Sequence, residues 1–497
     1  MSTTGKQIGR FFKHSIIYAI GNIINRIGAF LLLPIYTNYL TVAEYGSLEY
    51  FYTVSTIMTG LLSAGIAHST LRFYFEYQDQ QDRNSLVITN IMASFGFTVF
   101  GVLIASLFST QAVTLMFGST EYLLGFYIML AIIVFELSSQ VSLAYVRAEE
   151  HSVFFVVIAI AKLVIQVAVN TYLVVFADMG IVGVLIGNFC AVFLGWIILT
   201  TFVVRKCGIK ADAKKILPVM KYAYPFLLAT MVGVFAETFD RIILKELISV
   251  EALGLFALAV KFSLLLEALI GEPFNRSYGS FRFSIMKDGN AAEIQEKIVR
   301  MLAVILVFTG SGLLYFSPIV IKIMSDSAFW PAIKLLPILV LASCIKIATY
   351  SCQTGFLYAK KSGYIFRITI VQSAFSIVGS LVLIQLMGII GACLAQLITA
   401  IVVIVVTHRA SKPFLDISYN YGKISLAALV GGLYFFIWWI LQSESLIASL
   451  AINSVLTIAL FFSLIRLPIL TVSERGELLD KINRFVPWNL KPIFGIA

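Results

Sequence analysis

Four cations fall close to the middle of long apolar runs: Arg26, Lys162, Lys261 and Lys346. At that depth a charge costs about 2.5–3.5 kcal/mol on insertion scales, so each must face polar neighbours, water or a charged ligand. Their surroundings agree at helical spacing. Asn22, Asn25 and Arg26 fall at i, i+3 and i+4, Lys162, Gln166 and Asn170 at i, i+4 and i+8, and Ser343, Lys346 and Tyr350 at i, i+3 and i+7. Glu136, Ser139 and Gln140 form a further stripe, as do Glu237, Asp240 and Arg241, and Gln372, Ser376 and Ser380. One polar face on each of several apolar helices implies a shared hydrated cavity.

Four midplane cations against one midplane carboxylate, Glu136, leave a positive excess that a phosphate-bearing substrate would balance. Arg26, Lys162, Lys261 and Lys346 are therefore the candidate substrate-binding cations. Asn22, Asn25, Gln140, Gln166, Asn170 and Gln372 are the candidate cavity lining. Glu136, Glu237, Asp240 and Glu267 are candidates for coupling to protons or sodium. For any one residue the competing reading is an internal pair, such as Lys162 with Glu136.

The elements that must position these residues follow from composition. The chain has 497 residues, 60% hydrophobic, a mean hydropathy of +0.94 and 12% charged residues. Soluble domains carry about 25% charged residues, so this is a polytopic, all-α membrane protein. Apolar segments of about 20 residues cross the hydrocarbon layer. Fourteen are read, at 14–37, 47–68, 87–108, 122–146, 152–176, 180–204, 218–240, 252–273, 298–318, 333–357, 364–385, 389–407, 422–441 and 446–465. They divide into two pseudo-symmetric six-helix lobes, 1–204 and 218–410, joined by a basic linker, 205–217. Two further helices lie in 411–467, and 468–497 is a tail.

Of the 36 lysines and arginines, 28 fall on one set of alternate connections, four (Arg241, Lys245, Lys322 and Lys334) on the other, and four are the midplane cations. This bias predicts both termini in the cytoplasm. It also explains the net charge of +10 without invoking nucleic acid, because the basic residues are dispersed among short connections. The basic start (Lys6, Arg10, Lys13) runs into a long apolar segment without a small-residue cleavage site, and reads as an uncleaved signal anchor. None of the five cysteines has CxxC spacing; four are placed in apolar segments and Cys207 in a basic loop, with no disulfide or metal site expected. There is no GxxxxGK[ST], HExxH or GxSxG, and no histidine has an acidic partner at catalytic spacing. No catalytic residue and no cofactor is predicted.

The two lobes share a repeat. Thr41-Val42-Ala43-Glu44-Tyr45-Gly46 and Ser249-Val250-Glu251-Ala252-Leu253-Gly254 lie 208 positions apart (249 − 41), after the first and seventh spans. The paired segments run in the same direction, which predicts a parallel repeat about an axis along the membrane normal.

The chain also resembles a known family. The carrying residues are Leu33-Pro34-Ile35-Tyr36-Thr37-Asn38-Tyr39-Leu40 with Glu44-Tyr45-Gly46, then Tyr224-Pro225, Phe239-Asp240-Arg241-Ile242-Ile243-Leu244 and Leu253-Gly254-Leu255-Phe256. In these it is similar to the bacterial lipid-linked oligosaccharide flippases of O-antigen and capsule biosynthesis, in the multidrug/oligosaccharidyl-lipid/polysaccharide exporter superfamily. The resemblance implies two six-helix lobes that open alternately to each side around a cationic cavity. It implies transfer of an undecaprenyl-diphosphate-linked repeat unit from the cytoplasmic to the periplasmic leaflet of the inner membrane, with ion coupling. Glycan polymerases or glycosyltransferases are the expected partners. A lipid II flippase, a cation-coupled drug antiporter and a non-transporting scaffold for glycan-assembly enzymes are the alternatives.

Overall fold

The computed structural model describes residues 21, 28, 30–63, 65–285, 291–361, 363–415, 417, 419–443 and 445–483. No strand occurs among them, as the apolar runs predict. Among the described residues, twelve helices are long and apolar enough to cross a membrane, and they coincide with twelve of the fourteen predicted spans. The first predicted span lies mostly outside the described residues. The seventh is formed as a helix of 32 residues, Ile216–Leu247, about 48 Å long at 1.5 Å per residue. It runs through the polar Phe239–Lys245 stretch, so the link to the next helix is only Ile248 and Ser249.

The chain forms two compact units, Met1–Leu255 with Met324–Ala328, and Phe256–Ile323 with Phe329–Ala497. The first contains α1 (Leu33–Tyr39), α2 (Val42–Leu62), α3 (Ile66–Glu76), α4 (Gln80–Leu107), α5 (Ser109–Phe117), α6 (Leu123–Ala148), α7 (Ser152–Thr171), α8 (Gly180–Cys207) and α9 (Ile216–Leu247). A capping box starts α2: the Glu44 backbone N–H donates to Thr41 Oγ1, and the Thr41 N–H donates to Glu44 Oε2 at 2.8 Å. Gly65 separates α2 from α3 at φ +63°, and a Cβ there would stand 3.1 Å from the Ala223 carbonyl oxygen of α9. α6 packs on α4 and α8, α7 on α8, and α9 on α2 and α3. Ile66, Tyr74, Leu86, Tyr145, Val203 and Val219 bring five of these helices into one buried cluster. The Met324–Ala328 stretch is held by Thr37 Oγ1 and Asn38 Nδ2, which both donate to the Met324 carbonyl at 2.9 Å.

α10 (Val250–Leu266) carries the chain out of the first unit, since its first six residues belong there and the rest to the second. A five-residue π turn (Glu267–Gly271) joins it to α11 (Glu272–Ile285). There follow α12 (Ala291–Met324), α13 (Leu336–Cys352), α14 (Thr354–Tyr358), α15 (Gly363–Met387) and α16 (Ile389–Ser411). The last are α17 (Tyr421–Ile440), α18 (Leu446–Arg466) and α19 (Val472–Asn483). Leu266, Leu302, Leu306, Val340 and Ile347 make the core around the π turn. Val304, Ala427, Val430, Leu460 and Leu464 fasten α17 and α18 to α12. Many large apolar side chains, Leu107, Leu115, Phe176, Leu386 and Ile447 among them, remain exposed, as a lipid-facing surface requires. All five cysteines are free, and Cys207 is a buried helix end rather than a loop residue.

Candidate functional site

α7 is apolar except along one stripe, and the structure connects that stripe to four other helices. Lys162 Nζ lies 3.5 Å from Glu136 Oε2 on α6, and Gln140 Nε2 donates to Glu136 Oε1 at 3.1 Å. One turn on, Gln166 Nε2 donates to Asn188 Oδ1 at 2.6 Å, and Asn188 Nδ2 donates to the Tyr52 hydroxyl at 2.7 Å. Asn170 Nδ2 donates to the Tyr36 hydroxyl at 2.6 Å. The whole side chain of Asn170 is buried, and it fits because position 187 is glycine: a Cβ there would stand 1.7 Å from Asn170 Oδ1. Gly195 likewise admits the methylenes of Lys162, whose Cδ would be 2.8 Å from a Cβ there.

Lys162 is thus in an internal ion pair, with both side chains about one-third exposed. A second acidic side chain was passed over in the sequence. Glu49 is buried in α2, and the Tyr45 hydroxyl bonds to it. Tyr45, Glu49 and Tyr52 stand at i, i+4 and i+7, so the stripe test applied to the other helices would have found them. Arg26, Asn22 and Asn25 lie outside the described residues. Asp240 is buried on α9, where its Oδ1 accepts from the Arg241 backbone N–H at 2.8 Å, while Glu237 is exposed one turn earlier.

In the second unit the candidates lie around the π turn. Glu267 is buried, and Tyr350 of α13 donates to its Oε1 at 2.5 Å. Lys346 precedes Tyr350 by one turn and is exposed; Lys261 and Gln372 are half-buried. Lys346 and Tyr350 stand four residues apart on α13, and their spacing gave no hint that Tyr350 closes on Glu267.

Both units also carry a buried tyrosine that sequence reading missed. The Tyr74 hydroxyl of α3 donates to Glu149 Oε1 at 2.5 Å, just past the end of α6. In the second unit Tyr278 of α11 bonds to Gln295 and, at 2.8 Å, to Thr354 Oγ1 at the start of α14. Each ties the end of one helix to the end of another. Near the C-terminus, buried Arg300 of α12 donates from Nη1 and Nη2 to Glu474 of α19 at 2.8 and 2.7 Å. Burial pushes the Glu474 carboxyl up, but the Thr471 backbone N–H and the Arg300 guanidinium outweigh it and hold it below the usual carboxylate range.

This fold is similar to solved transporters. The lipid II flippase MurJ in its inward closed conformation has a TM-score of 0.72 at 14% identity, over 90% of this chain and 98% of that one. An inward-facing multidrug resistance MATE family transporter of the MOP superfamily has a TM-score of 0.61 at 13% identity, over 78% of this chain and 94% of its own. The MATE transporter VcmN of Vibrio cholerae has a TM-score of 0.55 at 14% identity, over 83% and 99%. No curated protein sequence matches. Residues 11–277, more than half of the chain, match the family described as polysaccharide biosynthesis protein. With its apolar spans, its polar stripes and the fold of the flippases and multidrug exporters, the chain belongs to that polysaccharide biosynthesis family.

Proposed function

We propose that this protein flips a polyprenyl-diphosphate-linked oligosaccharide repeat unit from the cytoplasmic to the periplasmic leaflet of a bacterial inner membrane, with both termini cytoplasmic. The observation that carries the reading is the family match over residues 11–277 on a fold shared with a lipid II flippase. Two lobes, 1–204 and 218–410, open alternately while the lipid tail stays in the bilayer. The diphosphate is held by cations in the cavity. That role falls first to Lys346, which is exposed on α13, and also to Lys162, Lys261 and Arg26. Asn22, Asn25, Gln140, Gln166, Asn170 and Gln372 line the path of the sugars.

The test is complementation of surface polysaccharide in a flippase-deficient strain, at matched expression. Lys346→Glu is expected to lower surface glycan about tenfold or more, equivalent to about 1.4 kcal/mol of lost anion binding, while lipid-linked repeat units collect on the cytoplasmic side. Wild-type glycan levels in both Lys346→Glu and Lys261→Ala would remove the cations from the substrate path. The similarity to MATE transporters favours a second reading, a cation-coupled drug antiporter. It predicts ethidium efflux by the wild-type chain and no rescue of surface glycan.

A further inference from the structure

Glu267 stands apart from the other carboxyls of the spans in how its two oxygens are treated. It lies 8% exposed inside the helix Val250–Phe283. Oε1 accepts from the Tyr350 hydroxyl at 2.5 Å, whereas Oε2 is buried and has no hydrogen-bond partner. Nearly all buried polar atoms are bonded, and leaving a charged oxygen unbonded in an apolar site costs more than leaving a neutral one.

The local backbone is built around this carboxyl. The helix loosens to a π turn at Glu267–Gly271, and such turns recur at functional sites. Glycine at position 271 leaves room for the carboxyl to fold back along its own helix. A Cβ there would stand 3.0 Å from Glu267 Cδ, 3.1 Å from Oε1 and 3.0 Å from Ile347 Cγ1. Leu266, next to Glu267 in the chain, belongs to a buried apolar cluster with Leu302 and Leu306 of α12 and Ile347 of α13. The titratable groups of the packed elements are Cys344, Lys346, Tyr350 and Cys352 on α13, and Glu293, Glu296, Lys297, Arg300, Tyr315 and Lys322 on α12, with Glu251, Lys261, Glu272, Arg276, Tyr278 and Arg282 on the same span as Glu267. Of these, Tyr350 donates a hydrogen bond to Glu267.

We propose that Glu267 is a proton-carrying carboxyl, loaded and unloaded as the transporter cycles, with Tyr350 as its positioning donor. The inference rests on the transport reading above and names the ion that couples to it. The step is a single protonation: water delivers H⁺ to Oε2, the carboxylate becomes a neutral acid, and the proton leaves by the same bond.

Infrared difference spectroscopy of the full-length protein in lipid nanodiscs, between alkaline and acid buffer, reads the carboxyl directly and needs no substrate. Wild type is expected to gain a protonated-carboxyl C=O band on acidification. Glu267→Gln loses that band, and Tyr350→Phe moves it to higher frequency because the hydroxyl no longer donates. A band set unchanged in both variants overturns the proposal, and if Glu267→Gln does not fold, an unshifted band in Tyr350→Phe does so alone. Titration of the band in a chain that fails to complement surface polysaccharide would leave the proton site standing and refute the glycan reading. Complementation by wild type together with an unchanged spectrum in the variants would do the reverse.

Discussion

Gly46→Ala abolishes the folded protein. A Cβ at position 46 would sit 2.0 Å from the Val250 carbonyl oxygen and 2.8 Å from its carbon, where contacts below 3.0 Å essentially never occur. The obstructing atoms are backbone, so no rotamer change relieves them and α2 must move away from the first turn of α10. Gly254 faces the converse contact: a Cβ there would stand 2.6 Å from the Val42 carbonyl oxygen. The two contacts are reciprocal and equally spaced (254 − 46 and 250 − 42 are both 208). Without a hydrophobic force between helices in lipid, close backbone approach through small residues is a main source of association. The expected loss exceeds about 4 kcal/mol, the range reserved for severe overpacking or strain. Size-exclusion profiles and thermal unfolding of Gly46→Ala and Gly254→Ala would read it. Gly96→Ala, with nothing within 4 Å, is the control. It should keep or raise stability, since alanine gains up to about 1 kcal/mol over glycine inside a helix. A Gly46→Ala protein as stable as that control would disprove the crossing.

The second large effect is at Arg300. Its guanidinium, 4% exposed, meets Glu474 through two bonds, the Ile469 carbonyl at 2.8 Å and Glu296 at 3.1 Å. Arg300→Met leaves Glu474 buried without its cation, a change that costs about 3–5 kcal/mol when one partner of a buried pair is removed. The cost falls on the docking of α19, which lies outside the membrane spans. Hydrogen exchange across 472–483 is therefore expected to accelerate sharply, with the core of the first unit, around Ile66 and Tyr145, unchanged.

The same contact gives a pH dependence. Because the folded Glu474 carboxyl lies below its ordinary value, the stability it contributes is fully present above about pH 4.3, the unfolded value. It is lost as pH falls through the lower folded value. Exchange across 472–483 in wild type should rise only in that acid window, and Arg300→Met should show fast exchange at every pH. Acid-insensitive exchange in wild type would remove Glu474 from the docking.

Sequence alone determined that this is an all-α membrane protein and read fourteen spans, twelve of which coincide with long helices among the described residues, because the lipid environment writes hydrophobic length and helical periodicity directly into the residues. The Gly46 and Gly254 motifs were legible as a repeat, and Lys162 with Glu136 as one conceivable pair. Only the tertiary structure decided how the polar groups are joined. The bonds from Asn170 to Tyr36, 134 residues apart, and from Tyr350 to Glu267, 83 apart, have no local signature. The same holds for Gly187 under Asn170 and for the π turn under Glu267, which depend on what a distant helix brings against them. Helix periodicity fixes which face is polar; which neighbour covers that face is fixed by packing between helices, and that information is spread over the whole chain.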